Sequence, residues 1–128
     1  MSEELPALSK AEYEIMKIVW ETQGMTTGEI FNAVNLERQE AVKRATIQVQ
    51  LRRLVAKGWL KTTKRGNAFL YSTTRKKEKG FLDIAVDIKD RVLQGSVSHF
   101  MRCLFENDKL SEDEIKELKK LLSETENE

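Results

Sequence analysis

The sequence predicts a mainly α fold: a winged helix-turn-helix over residues 1-75, followed by a helical dimerisation domain over residues 76-128. Three observations carry that prediction. Two capping boxes of the form S/T-x-x-E open the first two helical stripes, with only a short connection between them. A third amphipathic stretch, "ATIQVQLRRLVAKGWL", runs into a segment whose period changes from helical to alternating. From Lys76 onward the apolar spacing is helical again.

The first helix begins at Ser9, boxed with Glu12, carries the stripe Ile15, Met16, Val19 and Trp20, and is expected to end at Gly24. Thr26 and Glu29 box a second, short helix with Ile30, Phe31 and Val34 inward. "NLERQEAVKR" is a loop, and the third helix has no obvious cap unless Thr46 serves. Ile47, Leu51 and Leu54 form its core stripe, and Gly58 ends it. In "WLKTTKRGNAFLYST", β-formers flank a Lys64-Arg65-Gly66-Asn67 tip, where Gly and Asn tolerate the positive φ of a tight hairpin. Phe81, Leu82, Ala85, Ile88, Val92 and Leu93 then line one long helix, which Gly95 and Ser96 break. Val97, Phe100, Met101, Leu104 and Phe105 make a second, and Ser111 with Glu114 boxes a third bearing Ile115, Leu118, Leu121 and Leu122. Three short amphipathic helices have more apolar surface than they can cover for one another, so a partner chain is expected to supply the rest.

At 128 residues the chain suits one compact domain, or a small domain with an oligomerising extension, because a chain of this size buries roughly two-thirds of its unfolded surface. Hydrophobic residues at 40 % and charged residues at 34 % describe a soluble, helix-rich protein. No apolar run approaches the roughly 20 residues needed to cross a bilayer, so no membrane insertion is expected. "MSEELPALSK" does not read as a signal peptide, which makes the cytoplasm the expected compartment. The single cysteine, Cys103, excludes an intramolecular disulfide, and with only His99 nearby it cannot complete a four-ligand zinc site; no metal or other cofactor is expected.

The net charge of +1 hides a division: residues 1–79 carry 15 Lys/Arg against 9 Asp/Glu, and residues 80–128 carry 7 against 12. Within residues 43–79 the ratio is 12 basic to 1 acidic, a local field suited to a polyanion. The third helix turns Ala45, Val49, Arg52, Arg53 and Ala56 to solvent, with Thr46 and Gln48 on the flanks and no acidic residue among them. Such a helix followed by a basic hairpin is the layout in which the third helix enters the DNA major groove and the wing lies against the backbone.

Three segments, "LSKAEYEIMKIVW", "TIQVQLRRLVAKGWL" and "GNAFLYS", resemble in order and separation the signature segments of the BlaI/MecI/CopY family of penicillinase repressors. Ala11, Glu12, Met16 and Trp20 carry the pattern of the first helix, and the Thr-Ile, Arg-Leu and Lys-Gly pairs that of the third. The resemblance spans roughly residues 7–122 and implies a dimeric transcriptional repressor bound to a dyad operator. It also implies relief by a membrane-bound sensor that leads to proteolysis, or by metal at C-terminal Cys-x-Cys motifs. The tail "LLSETENE" has no cysteine, and the family's Asn-Phe cleavage bond falls at Cys103 and Leu104, where its identity is not kept.

On these grounds double-stranded DNA and a second copy of the chain are the expected partners. Thr46, Gln48 and Val49 are expected at base edges, Gln48 pairing with adenine and Val49 touching a thymine methyl. Lys43, Arg44, Arg52, Arg53, Lys64 and Arg65 are expected on phosphates. Each has a bland alternative as a solvated residue or idle surface charge. Phe81, Leu82, Ala85, Ile88, Val92, Phe100, Leu104, Ile115, Leu118 and Leu122 are the candidate dimerisation residues. Trp20, Phe31, Trp59 and Tyr71 read as core rather than as a stacking platform. Nothing supports catalysis: no phosphate loop, nucleophile motif or recognisable carboxylate pair is present. Two other accounts stay open, a winged-helix adaptor docking an acidic protein and a repressor that senses thiol oxidation or metal through Cys103 and His99.

Overall fold

The computed structural model describes residues 5–36 and 38–126. Contacts divide the chain into two compact units that meet in sequence between Asp87 and Ile88.

In the first unit, α1 (Lys10–Glu21) starts where the sequence places it: the Ser9 hydroxyl accepts the Glu12 amide at 3.1 Å and Glu12 Oε1 accepts the Ser9 amide at 2.8 Å. Thr26 and Glu29 reproduce the box at α2 (Thr27–Asn35). Helix α1 stops at Glu21, short of the expected Gly24, because the connection is part of the sheet. The Gly24 and Met25 amides donate to the Tyr71 carbonyl at 3.0 and 3.1 Å, and the Tyr71 amide returns a bond of 2.7 Å to Met25. The Gln23 carboxamide continues this edge, donating to Thr73 Oγ1 and accepting the Thr73 amide, both at 2.8 Å.

Helix α3 (Arg44–Ala56) is followed by β1 (Leu60–Arg65) and β2 (Ala68–Thr73), an antiparallel pair whose register runs from Leu60 opposite Thr73 to Arg65 opposite Ala68. The turn is therefore Gly66-Asn67. Only Gly66 has a positive φ, +63°, so Asn67 needs no left-handed conformation and the pattern is that of a II′ turn with glycine first. Ile15, Met16, Val19, Ile30, Ile47, Leu51 and Leu54 close the core from three helices, and Trp59 and Leu60 close it from the start of the hairpin. Trp20 and Trp59 are buried, and Phe31 and Tyr71 pack half-buried against the same cluster.

Helix α4 (Lys77–Asp87) belongs to this unit. Gly80 is buried against Trp20, and a Cβ at that position would lie 2.6 Å from Trp20 Cζ2. Phe81 meets Tyr13 with ring centroids 6.5 Å apart, and Ile84 packs on the core.

The second unit opens with a π-helical segment, Ile88–Leu93, so the long helix expected through Leu93 keeps α-geometry only to Asp87. Ile88, Val92 and Leu93 are four and five positions apart, spacings that suit a π-turn as well as an α-turn, and apolar periodicity cannot separate the two. Gln94 and Gly95, both with positive φ, end it. Helix α5 (Val97–Glu106) follows, and α6 (Glu112–Glu126) is opened by the expected Ser111–Glu114 box, with bonds of 3.1 and 2.9 Å. None of the described residues from 88 to 125 is buried.

Candidate nucleic-acid interface

The core stripe of α3 fixes which of its residues face water. Ile47, Leu51 and Leu54 are at most 1 % exposed, so Ala45, Thr46, Gln48, Val49, Arg52 and Arg53 are all turned outward and all exposed. Lys43 is the N-cap and has no side-chain capping bond, while its carbonyl accepts the Thr46 and Ile47 amides at 3.0 and 3.2 Å. Thr46 is therefore inside the first turn, not the cap. Its side chain is exposed, and the chain enters the helix three residues earlier than a Thr46 cap requires.

Several contacts hold this helix in place. Asn35 clamps the segment that leads into it, donating to the Val42 carbonyl at 3.1 Å and accepting the Val42 amide at 2.7 Å. The Arg44 guanidinium lies 5.9 Å from the centroid of the Phe31 ring, so Arg44 is oriented by α2 rather than loose. At the far end, Lys57 Nζ donates to Glu12 Oε1 at 2.6 Å and to the Ala7 carbonyl at 2.9 Å. Glu12 is 2 % exposed; burial pushes its carboxyl up, but Lys57 and the Ser9 amide and hydroxyl outweigh this and hold it below the ordinary carboxylate value. The pair ties the start of α1 to the end of α3 across 45 residues of sequence.

The wing extends the basic surface. Lys61, Lys64 and Arg65 are exposed along β1, as is every residue from 61 to 69. The nine candidate DNA-binding residues thus divide between two elements, Lys43 through Arg53 on α3 and its cap, Lys64 and Arg65 at the hairpin end. Sequence reasoning left out Lys61, the Asn35 clamp and the Lys57–Glu12 pair. Lys61 follows from strand exposure, whereas the other two join positions whose proximity no local pattern reveals.

The candidate dimerisation residues fall in both units. Phe81, Leu82 and Ala85 are on α4, and Phe81 and Leu82 remain 49 % and 54 % exposed. Ile88 and Val92 are on the π-helical segment, Phe100 and Leu104 on α5, and Ile115, Leu118 and Leu122 on α6. Cys103 is exposed in the middle of α5, its Sγ 3.8 Å from His99 Nε2, and Leu104 is half-buried. Among the described residues no three or more His, Cys, Asp or Glu side chains are grouped to hold a metal ion, and no helix is long and apolar enough to cross a membrane.

A family model described as penicillinase repressor matches residues 8–124. The penicillinase repressor of Bacillus licheniformis is 32 % identical over 96 % of this chain and 94 % of its own length. The methicillin resistance regulatory protein MecI of Mammaliicoccus sciuri is 26 % identical over 91 % of this chain and 93 % of its own. Among solved structures, the Bacillus licheniformis BlaI monomeric form in complex with the blaP half-operator is 30 % identical, with a TM-score of 0.51, and covers 60 % of this chain and 92 % of that one. The reduced form of MarR from E. coli, 20 % identical with a TM-score of 0.52 over 92 % of this chain and 77 % of that one, shares the fold. With the family match running through nearly the whole chain, this protein belongs to the penicillinase repressor family, as a DNA-binding transcriptional repressor and not an enzyme.

Proposed function

We propose that the protein is a dimeric, sequence-specific repressor of a palindromic operator, with α3 in the major groove and the β1–β2 wing along the backbone. The observation that supports this reading best is the outward face of α3. From Lys43 to Ala56 it exposes four cations and no acidic residue, with Thr46, Gln48 and Val49 set among them. A flat ionic contact with an acidic protein needs only the charges; an uncharged hydroxyl, carboxamide and isopropyl group on a convex helix suit base edges. That a relative 30 % identical over the winged helix has been solved with a half-operator points the same way.

In this reading Gln48 addresses adenine, Val49 a thymine methyl, and Thr46 either base or backbone. Arg52, Arg53, Lys43, Arg44, Lys64 and Arg65 engage phosphates and set the register. No side chain caps α3, which leaves its leading amides and the positive end of its dipole to a phosphate.

Residues 76-128 act as the dimerising half. Their apolar residues are offered to a second copy, and the two-fold axis of the pair sets half-sites about ten base pairs, or a multiple, apart. Repression is relieved in the cytoplasm by a sensor-triggered event such as proteolysis, with a membrane sensor and protease as partners. A cut near Cys103 and Leu104 requires α5 to unwind locally, since the bond is internal to that helix.

Selection from a random duplex pool, followed by binding of the winner and a scrambled control over a salt series, tests the proposal. An enriched palindrome bound far more tightly than the scramble is expected. No enriched motif, or no duplex binding at low salt, would make the basic face a protein-docking surface.

A further inference from the structure

The hairpin carries an apolar side chain that neither the core nor the charge pattern explains. Directly paired residues of an antiparallel ribbon share a face, so Leu60 with Thr73, Thr62 with Tyr71, and Lys64 with Phe69 form three successive rungs on one side. That side is the one turned to the core: Leu60 is 2 % exposed and Tyr71 is half-buried against the cluster. Phe69, one rung farther out, is 56 % exposed and has no ring partner among the described residues. The apolar face of the ribbon thus continues past the edge of the core. Its last member overhangs beside Lys64, its partner on that face, while Lys61 and Arg65 lie on the opposite face of the same exposed ribbon.

A single phenyl group beside a lysine, at the end of a basic ribbon, is poorly placed for a protein partner, which would need a wider apolar patch to displace water. It is well placed for duplex DNA. The cations bring the ribbon to the phosphates, the apolar surface between two phosphate rows is the deoxyribose wall of the minor groove, and Phe is among the apolar side chains that proteins bring into that groove.

We infer that Phe69 is the apolar anchor of the wing, packing against deoxyribose at the minor-groove edge while Lys64 and Arg65 neutralise the flanking phosphates. This rests on the DNA-binding reading above and adds to it a contact that is independent of salt and tolerant of sequence.

Removing a phenyl group releases no counterion, whereas removing a phosphate-bound cation lowers the salt slope by about one. The test is the binding of Phe69→Ala, Phe69→Leu and Lys64→Ala to the selected operator over a salt series, with hydroxyl-radical footprinting of the sugars and melting temperatures of the free proteins. The expected result is that Phe69→Ala binds about tenfold more weakly with an unchanged salt slope and loses sugar protection at the wing's position. Phe69→Leu recovers most of the affinity, and Lys64→Ala flattens the slope. A Phe69→Ala affinity within about twofold of wild type, or a wild-type footprint despite a lowered melting temperature, would overturn the inference and leave Phe69 a hairpin stabiliser. A wild-type chain that binds no duplex would instead overturn the DNA-binding reading itself, and the anchor with it.

Discussion

The winged-helix unit and the C-terminal helices are both built from amphipathic segments, the most strongly amphipathic being α5, yet only the first closes over its apolar residues. In residues 5–87 twelve hydrophobic side chains are buried and each helix of the trihelical core contributes to one cluster. In residues 88–125 none is buried, and Val92, Phe100 and Leu122 stand 58 %, 44 % and 63 % exposed. The lesson is one of geometry. Three helices crossing beneath a short sheet enclose a volume, whereas a π-turn and two helices in series leave their apolar faces exposed. The same chain therefore holds one half whose apolar residues are largely covered and one half whose apolar residues stay exposed, the faces that the proposed dimer would cover.

That contrast is most sharply broken by core truncation. Leu51→Ala should lower the unfolding free energy by about 3 kcal/mol at every protein concentration, measured by denaturant titration. Leu122→Ala should cost under about 0.5 kcal/mol where the chain is monomeric and instead raise the dimer dissociation constant roughly tenfold in sedimentation. A concentration-independent loss for Leu122→Ala would show that α6 is covered within the chain.

Next comes the tie between α1 and α3. Lys57→Met leaves the buried Glu12 carboxylate without its cation and should cost about 2 kcal/mol at neutral pH. Glu12 is held below the ordinary carboxylate value in the folded protein, so its contribution is present above the unfolded pKa and is lost as pH falls through the folded one. In the variant both Lys57 contributions are lost and only the Ser9 bonds oppose burial, so the carboxyl shifts upward from its wild-type position and the cost should shrink as the solution is acidified and Glu12 takes a proton. A cost independent of pH would assign the loss to the Lys57 hydrogen bond to the Ala7 carbonyl.

Smaller effects separate the two kinds of contact on α3. Arg52→Ala with Arg53→Ala should weaken binding to operator and scramble alike and lower the salt slope by about two. Gln48→Ala should cost roughly 1–3 kcal/mol on the operator alone, at one base position, with the slope intact. If both changes behaved alike on every sequence, the division between phosphate and base contacts would fail.

The sequence made the first half legible because its signals are local. Both early capping boxes and the α3 stripe are each written within a few positions and match the structure, while the turn proper, Gly66-Asn67, is narrower than the four-residue tip that composition suggests. What stayed hidden is long-range or geometric. Met25 gives no strand signal, since a single bridge to Tyr71 depends on where the hairpin folds back. The π-turn at Ile88 has the same apolar spacing as an α-helix, and Gly80 gives no sign that it lies under Trp20. On the DNA-facing surface, charge and helical phase picked out the exposed residues of α3, but not the stacking of Arg44 on Phe31 that orients one of them.

The central claim, a dimer reading a dyad through paired α3 helices, is tested most directly by titrating the intact palindrome and a single half-site with the same chain, with the mass of each complex determined by sedimentation. The account predicts two protomers on the palindrome, bound at least about a hundredfold more tightly than the half-site. One protomer per palindrome, with half-site and palindrome bound equally well, would contradict it.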